Sequence, residues 1–572
     1  MKRIFSYLAP YKKRMALGVT IKILGTVSEL MIPFLLTYIL ENVIVTLEIP
    51  RILLYGGVMV VCSVGACVGN VTANRMAARV TADFSVVMRR ELFARTLYLS
   101  ARDTDNFTVP SLESRITSDT YNVQNFIGMM QRMGIRAPIL LLGGVTITLF
   151  MDGALALVMI ATMPIIFITV YSVARRSVPL YTKVQKSTDD MIRVVREDVL
   201  GVRVIKALSK NEYENRRYDT YNRALTRQEC HAGVIMNAVN PIMTLLMNLG
   251  IAGVIAVAAY RVTNGTSSAA TVIAFMQYFT LISMALMSLS RMFIMYTKCA
   301  ASARRISAVL DTPDAFPQES DDGRGDTDVK ISLEHVTFSY LGKKPNLEDI
   351  SLSVPKGGTL GIIGATGSGK STFVKLLLRF YDPDSGVIRI DGKKISSYSR
   401  EELTSLFGVA LQNDFLYADT VEENIRFGRD IPDEEIRRAA KIAQAHDFIS
   451  AMPEGYRHKI SSKGTNLSGG QRQRILIARA IAARPEILIL DDSSSALDYK
   501  TDASLRQALK ESMSDSTVIT VAQRVSSVKN CDLILVLDQG RIIGRGRHEE
   551  LMENCAEYRQ ISDSQMGGAF LD

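Results

Sequence analysis

Tryptophan is absent from all 572 residues, and cysteine is scarce at six. Cys62, Cys67, Cys230, Cys299, Cys531 and Cys555 form no CxxC pair, and no histidine lies at metal-ligand spacing from them. That argues against a zinc module and leaves the cysteines as small apolar residues in a reducing setting. Without tryptophan, the aromatic anchors of a membrane interface must be tyrosines, and Tyr38, Tyr55, Tyr171 and Tyr260 are the candidates. Acid is in shorter supply than base: 58 Asp and Glu stand against 67 Lys and Arg, a net charge of +9. A surplus of that sign raises nucleic acid as a partner, but the placement of the basic residues argues for a solvated cytoplasmic face instead.

What the chain has in excess is apolar sequence, at 47% of residues and a mean hydropathy of +0.13. The excess falls in the first half, in runs near Met15 to Ile44, Ile52 to Val71, Ile139 to Phe150, Ala154 to Val173, Val234 to Ala259 and Val272 to Leu289. Several approach the roughly 20 residues that cross a bilayer, so six transmembrane helices are predicted. The first run is too long for a signal-peptide core and lacks a small-residue cleavage site, so it reads as a permanent span. Basic residues cluster before the first span (Lys12, Lys13, Arg14), after the second (Arg75 to Arg102) and after the fourth (Arg175 to Arg196), while the short loops at Glu41 to Arg51, Asp152 and Tyr260 to Ala270 are nearly bare of them. This asymmetry predicts both termini and the long loops on the cytoplasmic side.

About sixty residues separate the second span from the third, and the fourth from the fifth, far more than a turn needs. Rich in helix formers and charge, each reads as two helical arms reaching roughly 40 Å into the cytoplasm, with Ser111 to Asn125 and Ser209 to Asn222 turning at the tips. The acidic, Pro- and Gly-broken stretch 311–328 reads as a linker. Beyond it, strands at Val329 to Tyr340, Thr359 to Gly364, Phe407 to Gln412, Ile487 to Asp492 and Thr517 to Gln523 alternate with helical segments, the pattern of a soluble α/β domain over 329–572. The predicted architecture is therefore an all-α six-helix transmembrane domain (1–310) with long cytoplasmic extensions, followed by an α/β domain.

Strand Thr359 to Ile363 runs into Gly364-Ala365-Thr366-Gly367-Ser368-Gly369-Lys370-Ser371, followed by Thr372, a full match to the P-loop in its strand, loop, helix context. Its glycines let backbone N–H groups turn inward around phosphates at a helix N-terminus; Lys370 reaches the β and γ phosphates, and Ser371 offers a hydroxyl to Mg²⁺. Asp491, at the end of the apolar run Ile487 to Leu490, is placed to hold Mg²⁺ through water. ATP and Mg²⁺ are the predicted ligands.

Leu467-Ser468-Gly469-Gly470-Gln471, about twenty residues before Asp491, resembles the signature motif of ATP-binding cassette (ABC) proteins, and the three motifs stand in that family's order. Ser111-Leu-Glu-Ser-Arg-Ile-Thr-Ser-Asp119 and Gly201-Val-Arg-Val-Ile-Lys206 resemble the intracellular loops of its six-span exporters. The resemblance covers nearly the whole chain. It implies that Tyr340 stacks on adenine, that Gln412 links Mg²⁺ to the membrane domain, and that Ser495-Ala496-Leu497-Asp498 is the D-loop. It also implies half a transporter, since each ATP lies between one chain's P-loop and the other chain's signature.

Three positions depart from the family. Asp492 stands where a Glu normally polarises the attacking water, and Gln523 stands where a switch histidine is expected; Ser462 also replaces a Glu common before the signature. A base must come within about 2.6–3.2 Å of its proton, and a misplacement of about 1 Å costs on the order of 100-fold. Gln523 can donate a hydrogen bond but cannot become cationic. The expectation is the catalytically degenerate half of a heterodimeric exporter of multidrug or lipid type, its partner supplying the Glu and His, moving hydrophobic or amphipathic, drug-like molecules across the cytoplasmic membrane. The alternatives are a slow homodimer and an ATP-gated regulatory or pore protein. In the first span, Lys22 and Glu29 are unusual for hydrocarbon and are candidates for a polar path, the alternatives being a snorkelling lysine and a glutamate satisfied by a neighbouring helix. Asn237, Asn240, Asn248 and Gln277, with Met284, Met287, Met292 and Met295, suit a mixed, adaptable cavity.

Overall fold

A computed structural model of the chain describes residues 2–313, 317–321, 328–340, 342, 344–412 and 414–566, with the side chains of a few helical residues, Asn240 among them, outside that description. Parts of the stretch 311–328 also lie outside the described residues. The chain divides into two compact units, Met1–Leu97 with Val109–Thr312, and Tyr98–Thr108 with Pro313–Asp572.

The first unit is helical, with six segments among the described residues long and apolar enough to cross a bilayer: Arg3–Thr46, Ile49–Leu97, Val109–Met151, Gly153–Val173, Pro241–Thr263 and Ala269–Leu310. The helix of the second span has 49 residues and that of the fourth runs Gly153–Ala207 for 55. At 1.5 Å per residue these are roughly 70 and 80 Å long, more than twice the hydrocarbon thickness, so both continue as arms. The third and fourth spans part at Asp152, whose Oδ1 accepts from the N–H of Ala154 at 3.0 Å and of Leu155 at 3.3 Å. Its Oδ2 accepts from Arg261 Nε at 3.1 Å, tying that turn to the end of the fifth span. The first and second spans close on small residues: a Cβ on Gly69 would lie 3.1 Å from Gly25 Cα, tighter than side chains ordinarily pack.

The first loop turns at a different place from the one expected. Residues Ser111 to Asn125 are helical throughout, and the reversal is at Tyr98–Thr108, where the short helix Ala101–Phe107 is capped by the Ser100 hydroxyl. That helix joins the second unit, where Tyr381 Oη donates to Asp105 and the Arg400 guanidinium lies 5.5 Å from the Tyr98 ring. The reason is local: Ser100 and Asp103 form an N-cap, a stop signal weaker in sequence than the polar run that follows. In the second loop the turn is confined to Leu208–Lys210, and Asn211 already begins the next helix.

The described residues of the second unit hold two sheets. A four-stranded antiparallel sheet has the order β2 (Leu347–Pro355), β1 (Val329–Phe338), β4 (Ser385–Ile390), β5 (Lys393–Lys394). A six-stranded sheet has the order β10 (Arg541–Gly546), β9 (Leu533–Asp538), β3 (Thr359–Gly364), β8 (Thr517–Val521), β7 (Ile487–Asp491), β6 (Phe407–Ala410), all parallel except β10. Every residue of β7 is buried, as a central parallel strand requires. Register sets the functional edge: Leu490 pairs with Ala410, Asp491 with Val521, and Ile362 with Val521. The residues that follow these strands emerge level with one another at the carboxyl end of the sheet, where ligands bind.

Candidate nucleotide-binding site

The P-loop leaves β3 under tight constraint. A Cβ on Gly364 would lie 2.1 Å from the carbonyl oxygen of Leu537, and Gly369 has φ +108° with only 2.8 Å between such a Cβ and Asn346 O. Gly367, at φ +85°, has open space where a Cβ would stand, so there only the backbone conformation calls for glycine. Lys370 begins the helix Lys370–Leu377, and its Nζ donates to the carbonyls of Gly364 at 2.8 Å and Ala365 at 2.9 Å. Burial pushes the Lys370 ammonium down, opposed by Asp492 and Asp491.

A cavity of about 240 Å³ gathers Thr366, Gly367, Gly369, Lys370, Ser371 and Thr372 with Gln412, Asp491, Asp492 and Gln523. Asp491 is 5% exposed; burial pushes its carboxyl up, and a hydrogen bond with Ser371 pulls it back. A hydroxyl and a carboxylate in contact form a hard-oxygen pair that fits Mg²⁺, which needs only one or two protein ligands beside phosphate and water. Ala365 lies on the loop outside that lining, and Ser368 is buried behind it with its Oγ unpartnered among the described residues.

The geometry at Asp492 is specific. The residue sits at φ 49°, its N–H continuing the ladder to Val521 O at 2.8 Å. One carboxylate oxygen, Oδ2, accepts from Gln412 Nε2 at 3.0 Å and from Gln523 Nε2 at 2.9 Å. Both amides converge there because strand register brings residues 412, 492 and 523 to one edge. Burial pushes the Asp492 carboxyl above its ordinary value, with the Gln412 hydrogen bond the largest opposing effect.

Tyr340 lies beyond the end of β1, not within it. Its ring meets Phe338 and Tyr381 edge-on, with centroids 4.9 and 5.1 Å apart, and Lys375 Nζ sits 5.4 Å from its centroid. Its hydroxyl is 3.3 Å from Thr372 Oγ1, which fixes the ring beside the P-loop helix. Tyr381 and Asn346 had no spacing signal; only the folded arrangement around the P-loop brings them to the site. A helix-periodic reading of the segment after Ser371 would have flagged Lys375, one turn along the same helix.

The signature residues stand elsewhere. Ser468 caps the helix Gly469–Ile481 reciprocally with Gln471, Ser468 Oγ accepting from Gln471 N at 3.2 Å and Gln471 Oε1 from Ser468 N at 3.0 Å. Leu467 packs on the core beneath. The D-loop lies against this turn: a Cβ on Gly470 would meet Ala496 O at 3.1 Å, Leu497 is buried, and Asp498 caps the helix Tyr499–Ser512 through Thr501 N at 2.9 Å. Ser495 Oγ donates to Asp492 O at 2.9 Å, linking the D-loop to the candidate base. None of residues 467–471 lines the phosphate cavity.

Residues 15–286 match the family described as the ABC transporter transmembrane region, and residues 347–495 match the family described as ABC transporter. The chain is 33% identical to the uncharacterised ABC transporter ATP-binding protein YfiB of Bacillus subtilis over 99% of each chain. It belongs to the ABC transporters. Another relative, the fatty acid ABC transporter ATP-binding/permease protein of Mycobacterium tuberculosis, is 33% identical over 79% of this chain and 72% of its own. Among solved structures, a bacterial Atm1-family ABC exporter with ATP bound superimposes with a TM-score of 0.83 at 25% identity, covering 97% of this chain and 99% of that one. This ABC transporter therefore has the exporter fold, a membrane region and an ATP-binding domain in one polypeptide, and its general activity is ATPase-coupled transport across a membrane.

Proposed function

We propose that this chain is the weakly hydrolytic half of a heterodimeric exporter that moves hydrophobic or amphipathic molecules, drug-like ones included, across the cytoplasmic membrane. The observation that carries the reading is the double amide contact on Asp492 Oδ2, from Gln412 and Gln523. The two bonds occupy Oδ2 and pin the carboxylate between the amides, leaving Oδ1 alone to meet a water, and the side chain that carries it is a methylene shorter than glutamate. In this reading Lys370 and the loop N–H groups hold the phosphates, Tyr340 packs on the base, and Ser371, Asp491 and the Oε1 of Gln412 hold Mg²⁺. The metal supplies charge neutralisation on the phosphates.

The placement of residues 467–471 outside the phosphate cavity supports a two-chain site, with this chain's Ser468, Gly469, Gly470 and Gln471 completing the partner's. The basic flanks of the spans support termini and ATP-binding domain on the cytoplasmic side. The fatty acid name of one relative supports an amphipathic substrate.

The test is ATP turnover by the purified chain alone and with its partner. The chain alone should bind Mg²⁺-ATP and hydrolyse it weakly, and it should recover as a one-to-one complex with a second half-transporter. Brisk hydrolysis by the chain alone refutes the reading. A slow homodimer working through Asp492 is the second reading, favoured by the place of that carboxylate in the cavity with Lys370; its mark is a self-dimer whose turnover disappears in Asp492→Asn.

A further inference from the structure

The backbone that carries Gln523 is gripped by a side chain from the helix Ala556–Met566. β8 ends at Val521, and Ala522 continues the ladder with an N–H donated to Ile362 O at 3.0 Å. Beyond Ala522 the chain leaves the sheet and enters the short helix Val525–Val528. Its N-cap residue is Arg524, whose guanidinium has no acceptor to offer and lies 5.1 Å from the Tyr499 ring centroid. Val525 is 2% exposed, so its N–H needs a partner inside the protein. Gln565 supplies it: Oε1 accepts from Val525 N at 2.8 Å, while Nε2 donates to Gln523 O at 2.8 Å. One amide thus holds the backbone on both sides of Arg524.

The helix is well placed to aim that amide. Tyr558, Ile561, Ser562 and Gln565 follow one another at three- and four-residue spacing, along one helical face. Tyr558 and Ser562 are wholly buried, and Tyr558 and Ile561 pack in one core with Ala522, Val525 and Val528. The helix and the loop therefore share a single piece of core, which fixes the distance that the Gln565 side chain spans.

The consequence lies at the phosphate edge. Gln523 Nε2 gives one N–H to Asp492 Oδ2 at 2.9 Å and keeps a second, and the residue lines the phosphate cavity with Gly367 and Lys370. A glutamine amide sits at the end of several rotatable bonds, so its place is only as fixed as the backbone beneath it. We propose that Gln565 is a positioning residue for this site: it fixes the backbone at Gln523 and Val525 so that the Gln523 amide meets the terminal phosphate of ATP. The inference concerns how the site tells ATP from ADP, and it holds whether hydrolysis there is fast or slow.

The test is nucleotide binding by the full chain in nanodiscs, measured by calorimetry with Mg²⁺ and either β,γ-imido-ATP, which carries the terminal phosphate and is not hydrolysed, or ADP, which lacks it. Gln565→Met keeps the side-chain length and helix propensity and removes both hydrogen bonds. It should raise the Kd for β,γ-imido-ATP about tenfold, the size of one hydrogen bond to a charged group, and leave the Kd for ADP within about twofold. Gln523→Ala should do the same, and the two changes together should cost no more than either alone, because Gln565 acts through the Gln523 side chain. Gln565→Glu keeps the acceptor for Val525 and loses the donor for Gln523, so it should weaken β,γ-imido-ATP as Gln565→Met does. Hydrogen exchange reads the other half of the grip: the Val525 amide should exchange about tenfold faster in Gln565→Met and at the native rate in Gln565→Glu, with residues Tyr558 to Ile561 unchanged in both. An unchanged Kd for β,γ-imido-ATP in Gln565→Met or Gln565→Glu, or an unchanged Val525 amide in Gln565→Met, overturns the proposal. So do equal weakening of ADP, additive losses in the double variant, or faster exchange along Tyr558 to Ile561, each of which would mark a helix that only holds the domain together. Neither ligand is turned over and no partner enters, so failure here leaves the weak-hydrolysis reading intact, and brisk hydrolysis leaves this one intact.

Discussion

Restoring the family's pair of groups at the phosphate edge tests the degenerate site most directly. Asp492→Glu with Gln523→His extends the carboxylate by one methylene and removes one of the two amides that share Oδ2, at 2.9 Å, leaving only Gln412 at 3.0 Å. A positioned general base contributes about 10²–10⁴-fold, and loss of position by about 1 Å costs on the order of 100-fold. The double variant should therefore raise hydrolysis at this site by about 100-fold, which is about 2.7 kcal/mol of transition-state stabilisation. Each single change should give less than about tenfold, because Asp492→Glu alone leaves the carboxylate against the Gln523 amide, and Gln523→His alone supplies a histidine with no well-placed base to support. The assay is steady-state phosphate release by the purified complex, run beside the same variant carrying Lys370→Ala, which removes the phosphate counter-charge at this P-loop and should abolish the gain. A double variant no faster than the native chain, or a gain that survives Lys370→Ala, refutes the reasoning.

In the complete heterodimer, Asp492→Asn should reduce turnover only modestly, whereas Ser468→Arg or Gly469→Asp should nearly abolish ATPase activity and transport while nucleotide binding at this chain's P-loop survives; equal damage from Asp492→Asn would show that it is a working base. Burial holds the Asp492 carboxyl above the ordinary aspartate range, so whatever hydrolysis depends on it should fall as pH drops through that raised value, and Asp492→Asn should flatten the acidic limb of the profile. Arg484, with Arg438, holds the Glu435 carboxyl down at about 2 against an ordinary value of 4.5. That bridge should stabilise the ATP-binding unit fully above the ordinary value and be lost progressively as pH falls toward 2; thermal unfolding followed from about pH 6 to pH 3 should show a smaller acid-dependent drop in Glu435→Gln. Gly408→Ala would place a Cβ 2.2 Å from Ala480 O, forcing β6 off the helix Gly469–Ile481. The cost should be about 3 kcal/mol, read as a Tm lowered by roughly 6–12 °C, and an unchanged Tm would contradict that packing.

Much of this transporter is written in contiguous sequence. The residues 364–371 specify their own loop because glycines at 367 and 369 adopt positive φ and Lys370 opens a helix, all within eight positions. The six spans are equally local, since a run of about 20 apolar residues has one way to satisfy its backbone in a bilayer. Ser468 to Gln471 is a reciprocal helix cap, a motif complete within four residues. Where the local signal was weaker than its surroundings the reading slipped: the first cytoplasmic turn is at Tyr98–Thr108, marked only by the Ser100 cap, and not in the more polar run 111–125.

Other features exist only once elements pair. Gln412, Asp492 and Gln523 are 80 and 31 residues apart, and they share one carboxylate oxygen because Leu490 registers with Ala410 and Asp491 with Val521. A shift of one residue in either ladder would turn those side chains to the other face, so the contact depends on register, which side-chain periodicity alone does not encode. The partners of Lys22 and Glu29 came from helix packing in the same way: Arg132 and Arg136 lie more than a hundred residues away, on a span whose rotation is set by neighbours such as Leu30 and Gly143. Sequence determined which chemical groups the chain carries and which secondary structures present them. Tertiary structure decided which groups meet, because contacts between distant elements follow from sheet register and the angular facing of helices, and both are settled only when the pieces pack.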